Sequence, residues 1–257
     1  MVTPPDNSYL YRAADGFQQV VAHYDAVLQG MGLSYEVRFV ETSFGVTHVV
    51  ISGNGEGKPV VLWHGLNANA GTWADWIPSL ASVYHVYAVD TIGAMGRSAP
   101  NRLSNRGPAY GKWAAETLEG LGLKRANMVG ASNGGWLILK LGCVAPEMIG
   151  CAVLMSSAGL LTVSAGLVLQ MLPRVLFRPP AEAARQLLAL LSPPDLPPDP
   201  FWLEFLELTL RTRFRSERNA PKISDEEVRG LNAPTYLLMG QYERSFDPYK
   251  AIERGLC

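Results

Sequence analysis

Cysteine and histidine are both scarce in this chain of 257 residues, which holds three of the first and four of the second. Cys143, Cys151 and Cys257 are too few and too irregularly spaced for a disulfide framework or a zinc site, so a cytoplasmic location and no metal are expected. His23, His48, His64 and His85 all fall in the first third of the chain, and no histidine follows. An excess of charge is missing too. With 22 basic and 23 acidic residues the net charge is −1, which offers no field to nucleic acid or to an anionic membrane. Small, roughly neutral molecules are the expected partners, and no feature selects an oligomeric state. Met1 to Leu10 carries Pro4, Pro5, Asp6 and Asn7 in place of the basic start and apolar run of an export signal. The longest apolar stretch, Ala158 to Phe177, is interrupted by Ser164, Gln170, Pro173 and Arg174 below the length of a membrane span. It reads as a greasy helix covering a pocket, and no membrane partner is expected.

With 48% hydrophobic residues the chain can bury a sizeable core. Phe17, Val20, Val21, Tyr24, Val27 and Leu28 recur at helical spacing and predict a helix over Ala14 to Gln29, ended by Gly30 and Gly32. Tyr35 to Glu41 and Thr47 to Ser52 alternate around Gly45 and predict a hairpin. From Pro59 onward come short, continuously apolar runs: Val60 to Trp63, Val86 to Val89, Asn127 to Val129, Cys151 to Met155 and Thr235 to Met239. These read as buried parallel strands. Helical segments lie between them at Trp73 to Ser82, Tyr110 to Leu121 and Gly134 to Val144. Such alternation implies an α/β fold, a mostly parallel sheet with helices on both faces. It breaks between Leu161 and Leu231, where apolar stretches such as Phe201 to Leu210 and the proline-rich Pro193 to Pro200 suggest an inserted helical cap. The expected organisation is a core of residues 1–160 and 231–257 with a cap over 161–230. Arg211, Arg213, Arg215 and Arg218 read as a solvated helix face.

The sharpest chemical signal is Gly130-Ala131-Ser132-Asn133-Gly134-Gly135, directly after one predicted strand and directly before a helix. A serine at a tight strand-to-helix turn is lifted above the sheet edge, and the flanking glycines let backbones approach. The helix N-terminus beneath it favours the negative charge that develops in acyl transfer. Ser132 is therefore the candidate nucleophile. His64-Gly65-Leu66, at the end of Val60 to Trp63, offers the other half of an oxyanion hole, with the amides of Leu66 and Asn133 as the donors.

Val60 to Leu161 resembles the α/β-hydrolase superfamily, in particular its bacterial carboxylesterase-like members with a helical cap. Asp90-Thr91-Ile92-Gly93 through Gly96-Arg97-Ser98 resembles that family's Asp-x-x-Gly-x-Gly-x-Ser loop with one extra residue between the glycines. Gly240-Gln241-Tyr242-Glu243, after Thr235 to Met239, resembles its Gly-Glu-x-Asp segment, whose last position supplies the triad acid. The resemblance implies Glu243 as that acid, with Asp247 as the second candidate. It further implies hydrolysis of a small-molecule carboxylic ester through an acyl-enzyme, with no cofactor.

In that family a histidine follows the acid after a further strand, and here none follows His85. Of the four present, only His64 is expected near Ser132, where it shapes the oxyanion loop; the others read as structural. Two explanations stand: a C-terminally truncated esterase, which is preferred, or a natural member without base-assisted catalysis. Loss of the base costs on the order of a million-fold in turnover. The alternative function is a catalytically dead hydrolase-fold protein that binds a small ligand.

Overall fold

The computed structural model describes residues 4–215 and 219–255. Met1, Arg218 and Cys257 lie outside them. Seven strands form one sheet: β1 (Tyr35–Thr42), β2 (Gly45–Gly53), β3 (Pro59–Trp63), β4 (His85–Val89), β5 (Ala126–Ala131), β6 (Ile149–Met155) and β7 (Thr235–Leu238). Their order is β1-β2-β4-β3-β5-β6-β7. β1 and β2 form the predicted hairpin about Gly45, β2 meets β4 antiparallel, and from β4 to β7 every pairing is parallel. Nine helices accompany the sheet among the described residues: α1 (Gly16–Gly30), α2 (Ile77–Ala81), α3 (Ala109–Gly120), α4 (Asn133–Gly142), α5 (Ala165–Phe177), α6 (Pro180–Leu191), α7 (Pro200–Arg211), α8 (Asp225–Arg229) and α9 (Pro248–Gly255).

The continuous apolar runs have a simple cause. Side chains alternate between the faces of a strand, and both faces of this sheet are covered. Val61 and Trp63 join one buried cluster with Trp113, Leu118 and Leu137 from α3 and α4. Val60 and Leu62 join another on the opposite face, with Tyr24 and Leu28 of α1 and Ile77 of α2. The segment expected as a helix from Trp73 to Ser82 is helical only over α2, preceded by a short 3₁₀ turn at Ala70–Trp73. Pro78 at the start of α2 fits there because a proline in the first turn removes no helical hydrogen bond.

Between β6 and β7 lie α5 to α8. The expected greasy helix over Ala158 to Phe177 begins only at Ala165, and most of its apolar side chains face solvent. The arginines past Leu210 do not share a helix face. α7 ends at Arg211, and Arg213 turns left-handed at φ 49°. The chain then runs as a strap beside the N-terminal segment, with Arg12 N donating to Arg213 O and Arg215 N to Leu10 O. Arg211, Arg213 and Arg215 are exposed, as a solvated group should be.

The two ends of the segment between β6 and β7 are tied to each other and to α9. Ile223 N donates to Gly159 O at 2.9 Å. The Arg254 guanidinium donates to the carbonyls of Gly159 and Leu160 where the chain leaves the sheet, and to that of Ile223 where it returns. Its contact with Asp225 at 2.8 Å completes the staple. No helix of the described residues is long and apolar enough to cross a membrane. Arg254→Met leaves three carbonyls without this donor. A loss on the order of 1–3 kcal/mol is expected in urea unfolding, with faster amide exchange confined to residues 159–165 and 219–230.

Candidate active site

β5 delivers Ser132 to the carboxyl edge of the sheet, and α4 begins at the next residue. Ser132 is exposed and sits at φ 49°, ψ −110°, a conformation that side-chain-bearing residues rarely adopt and that marks a strained turn. The neighbours explain how the turn is held. Ser132 N donates to Met155 O at 2.8 Å, extending the β5–β6 ladder by one rung. Ser132 O accepts from Gly135 N, Trp136 N and Ala158 N. A Cβ at Gly134 would overlap the carbonyl oxygen of Trp63, and one at Gly130 would overlap the Gly134 backbone. The glycines are thus required by the close packing of β3, β5 and the first turn of α4. Asn133 opens α4, where first-turn amides have no carbonyl one turn earlier.

The loop after β3 lies against this turn: a Cβ built on Gly65 would sit 3.8 Å from the Ser132 Cβ. Leu66 is half-buried there, and Asn67 is left-handed at φ 53°. The loop is fastened to the segment after β4. His64 Nε2 accepts from Thr91 N at 2.9 Å, and Nδ1 faces Gly65 O at 2.8 Å. The Asn69 carboxamide accepts from Gly71 N and donates to Met95 O, both at 3.0 Å. Ala70 N donates to the Asp90 carboxylate at 2.8 Å.

Asp90 is fully buried and also receives the Tyr24 hydroxyl at 2.9 Å and Arg97 N at 2.8 Å, with His48 Nδ1 3.0 Å away. Burial pushes its pKa upward. The imidazole of His48, then that of His64 and the Arg97 amide, outweigh burial and bring it from 3.8 to about 2. Met95 in the 90–98 loop is buried and packs in one cluster with Phe205 and Leu208 of α7. Sequence reading missed the clamp formed by Asn69. Its only local signal is an asparagine just before a short helical turn, because its second partner lies 26 residues on.

Of the two candidate acids, Glu243 is half-buried in the turn after β7, with Oε1 accepting from Ser245 N at 2.7 Å. Asp247 Oδ1 accepts from Tyr249 N and Lys250 N, so it caps α9. β5 and β7 are parallel and separated only by β6. Their carboxyl ends are therefore about 10 Å apart laterally, wide enough for a third group between Ser132 and the turn holding Glu243. No described histidine supplies that group. The Thr91 amide can donate only to an unprotonated Nε2, so His64 carries its proton on Nδ1, and both nitrogens are engaged. Burial holds its pKa below the ordinary value, only partly offset by Asp90 and Gly65 O. His48 is buried beside Asp90, His85 lies 3.0 Å from the Tyr87 hydroxyl, and His23 faces Glu204 at 3.8 Å. A cavity of about 630 Å³ is lined by Pro4, Phe17, Val21, Phe39 and Arg97, away from both Ser132 and α5. Among the described residues no cluster of three or more His, Cys, Asp or Glu side chains could hold a metal ion.

The parallel sheet, the strand–serine–helix turn and the facing loop define an α/β hydrolase, and the family model described as alpha/beta hydrolase fold matches residues 58–251. The chain belongs to that family. It is 26% identical over 231 residues to a Bacillus subtilis (strain 168) protein named uncharacterized carboxylesterase nap, a match covering 84% of this chain and 74% of that protein. It is 30% identical over 152 residues to carboxylesterase YbfK of the same strain, covering 59% of this chain and 51% of YbfK. The crystal structure of naproxen esterase (carboxylesterase NP) from Bacillus subtilis superposes with a TM-score of 0.82 at 25% identity, covering 94% of this chain and 86% of that one.

The Asp90 carboxylate sets an acid limit on stability. Because folding lowers its pKa from 3.8 to about 2, its contribution is present in full above roughly pH 4 and is lost as the pH falls toward 2. That contribution is on the order of 2 kcal/mol. Urea unfolding followed from pH 5 to pH 2 should show this loss in the parent protein. Asp90→Asn, destabilised already at pH 7, should lack that component of the pH dependence.

Proposed function

We propose that this chain carries the nucleophile, oxyanion and acid parts of a serine hydrolase for carboxylic esters. The observation that supports it most is Ser132 itself: a strained, exposed serine at a helix N-terminus, faced by a loop clamped in place within contact distance. In the reaction the Ser132 hydroxyl oxygen attacks the ester carbonyl carbon, and the carbonyl oxygen takes up negative charge. The amides of Leu66 and Asn133 are assigned to that oxyanion. Collapse expels the alcohol, which takes the proton given up by the serine, and leaves an acyl-enzyme that water then hydrolyses. Glu243 is the acid that orients an imidazole, and Asp247 is set aside because its carboxylate caps α9. No cofactor enters these steps. The helices of residues 161–230 act as the cap that selects the substrate, and the relatives named carboxylesterases support the ester class.

No described histidine is assigned as the base of Ser132, the nearby His64 being engaged with Thr91 N and Gly65 O, so the chain by itself is expected to turn over slowly, on the order of a million-fold below a complete triad. A second reading draws on the same observation: a protein of this fold that holds a small ligand without hydrolysing it. A fluorophosphonate probe and an imidazole series separate the two. The esterase reading expects slow labelling of Ser132, and p-nitrophenyl acetate hydrolysis that added imidazole raises at least tenfold above the Ser132→Ala protein under the same conditions. No labelling, and identical rates for parent and Ser132→Ala at every imidazole concentration, would leave the ligand-binding reading.

A further inference from the structure

Among the described residues, exposed large apolar side chains are concentrated on α5. Val168, Leu169, Leu172, Val175, Leu176 and Phe177 are 41% to 79% exposed, and Leu167 is the only α5 residue buried in the protein. At 100° per residue, five of the six, all but Phe177, fall within an arc of about 120°. Leu167 and Arg174 project away from that arc, and Arg178 follows the helix in an extended conformation. An ordinary surface helix turns its apolar stripe inward; this one turns it outward.

The sequence that runs through it is as uneven in charge as the helix is in polarity. From Met148 to Ala181 there is no acidic residue, in a chain whose totals are 22 basic and 23 acidic. The only charges in that stretch are Arg174 and Arg178. Arg178 is paired with Glu182 at 2.7 Å, whereas the Arg174 guanidinium curls back onto the carbonyl of Gln170. α5 is 13 residues long with Pro173 inside it, too short to span a bilayer. An outward apolar arc with a cation, Arg174, on the far side is the arrangement of a helix lying in the plane of a lipid–water interface, its arginine at headgroup level. Position completes the case. α5 follows the end of β6, next to the strand that carries Ser132, and Ser164 N just ahead of it donates at 2.6 Å to Ser245 O in the Glu243 turn.

We infer that α5 seats this protein on an anionic phospholipid surface, with the carboxyl edge of the sheet facing the lipid, so that Ser132 meets lipophilic esters partitioned there. The adsorption stands on α5 alone; the delivery of esters rests on the esterase reading. Both are tested separately if adsorption is measured with Ser132→Ala protein. Flotation with vesicles of 70% phosphatidylcholine and 30% phosphatidylglycerol should recover the protein with the lipid. In that background Leu169→Glu and Leu172→Glu should each lower the partition coefficient at least tenfold. Arg174→Gln should weaken it about fivefold on the anionic vesicles and leave it unchanged on pure phosphatidylcholine. Leu169 and Leu172 are at least half exposed, so these changes leave the core intact, as far-UV circular dichroism would verify. Equal partitioning of parent and both glutamate variants, or no flotation of the parent, overturns the proposal. So does a dimer in sedimentation that Leu172→Glu dissociates while flotation is absent, which assigns the face to a second copy. Adsorption without fluorophosphonate labelling of Ser132 would keep the docking surface and remove the esterase.

Discussion

The structure depends most on one buried carboxylate. Asp90 directly follows β4 and joins three pieces of chain distant in sequence, Tyr24 of α1, His48 of β2 and Ala70 in the loop after β3, to Arg97 in its own loop. A charge without water is tolerated only where donors surround it, and Asp90 receives a hydroxyl and an amide on one oxygen and an amide on the other, with the His48 imidazole 3.0 Å away. The consequence reaches the site. The loop that faces Ser132 is fixed at Ala70 by Asp90, at Asn69 by Met95 and at His64 by Thr91. All three anchors lie in the segment 90–95, so the placement of the Leu66 amide depends on the geometry around this carboxylate.

The fold was legible because its strands are buried on both faces and therefore appear as uninterrupted apolar runs. Val60 to Trp63 and Val86 to Val89 were readable from that feature, and their bounds moved by only a residue. The Ser132 turn was legible for a different reason: glycines at 130 and 134 are forced by backbone contact with Trp63 and with each other. What escaped is nonlocal. Arg254 joins carbonyls 31 to 95 residues away, and Asn69 reaches Met95 across 26. No periodicity encodes such pairs, because each partner is a backbone carbonyl that any residue type could supply.

Histidine illustrates how structure narrows a chemical reading that composition leaves open. His64 stands at the carboxyl end of β3, next to β5, so position alone would admit it as a base for Ser132. Its hydrogen bonds decide against that role. One nitrogen is needed as an acceptor for the Thr91 amide and the other faces Gly65 O, so proton uptake at Nε2 would break the contact that holds the loop. The same ring cannot both fix the loop after β3 and shuttle a proton. On the esterase reading proposed above, the space between the ends of β5 and β7 is where an imidazole would act, and none of the described residues places one there.

The stretch from Ala158 to Phe177 separates hydrophobicity from burial. Its composition alone suggests a core helix or a pocket cover, because apolar residues are more often inside. Burial, however, requires a partner surface. α6 and α7 pack on each other and α7 reaches Met95 and Ala68, while α5 touches α6 and leaves its outer arc uncovered. An uncovered apolar arc carries a standing free-energy cost in water, which falls when a lipid or protein surface meets it. Because Ser164 ties the start of α5 to the Glu243 turn, whatever covers that arc also bears on the rim of the site. The uncovered arc of α5 and the turn holding Glu243 are therefore joined through one short segment.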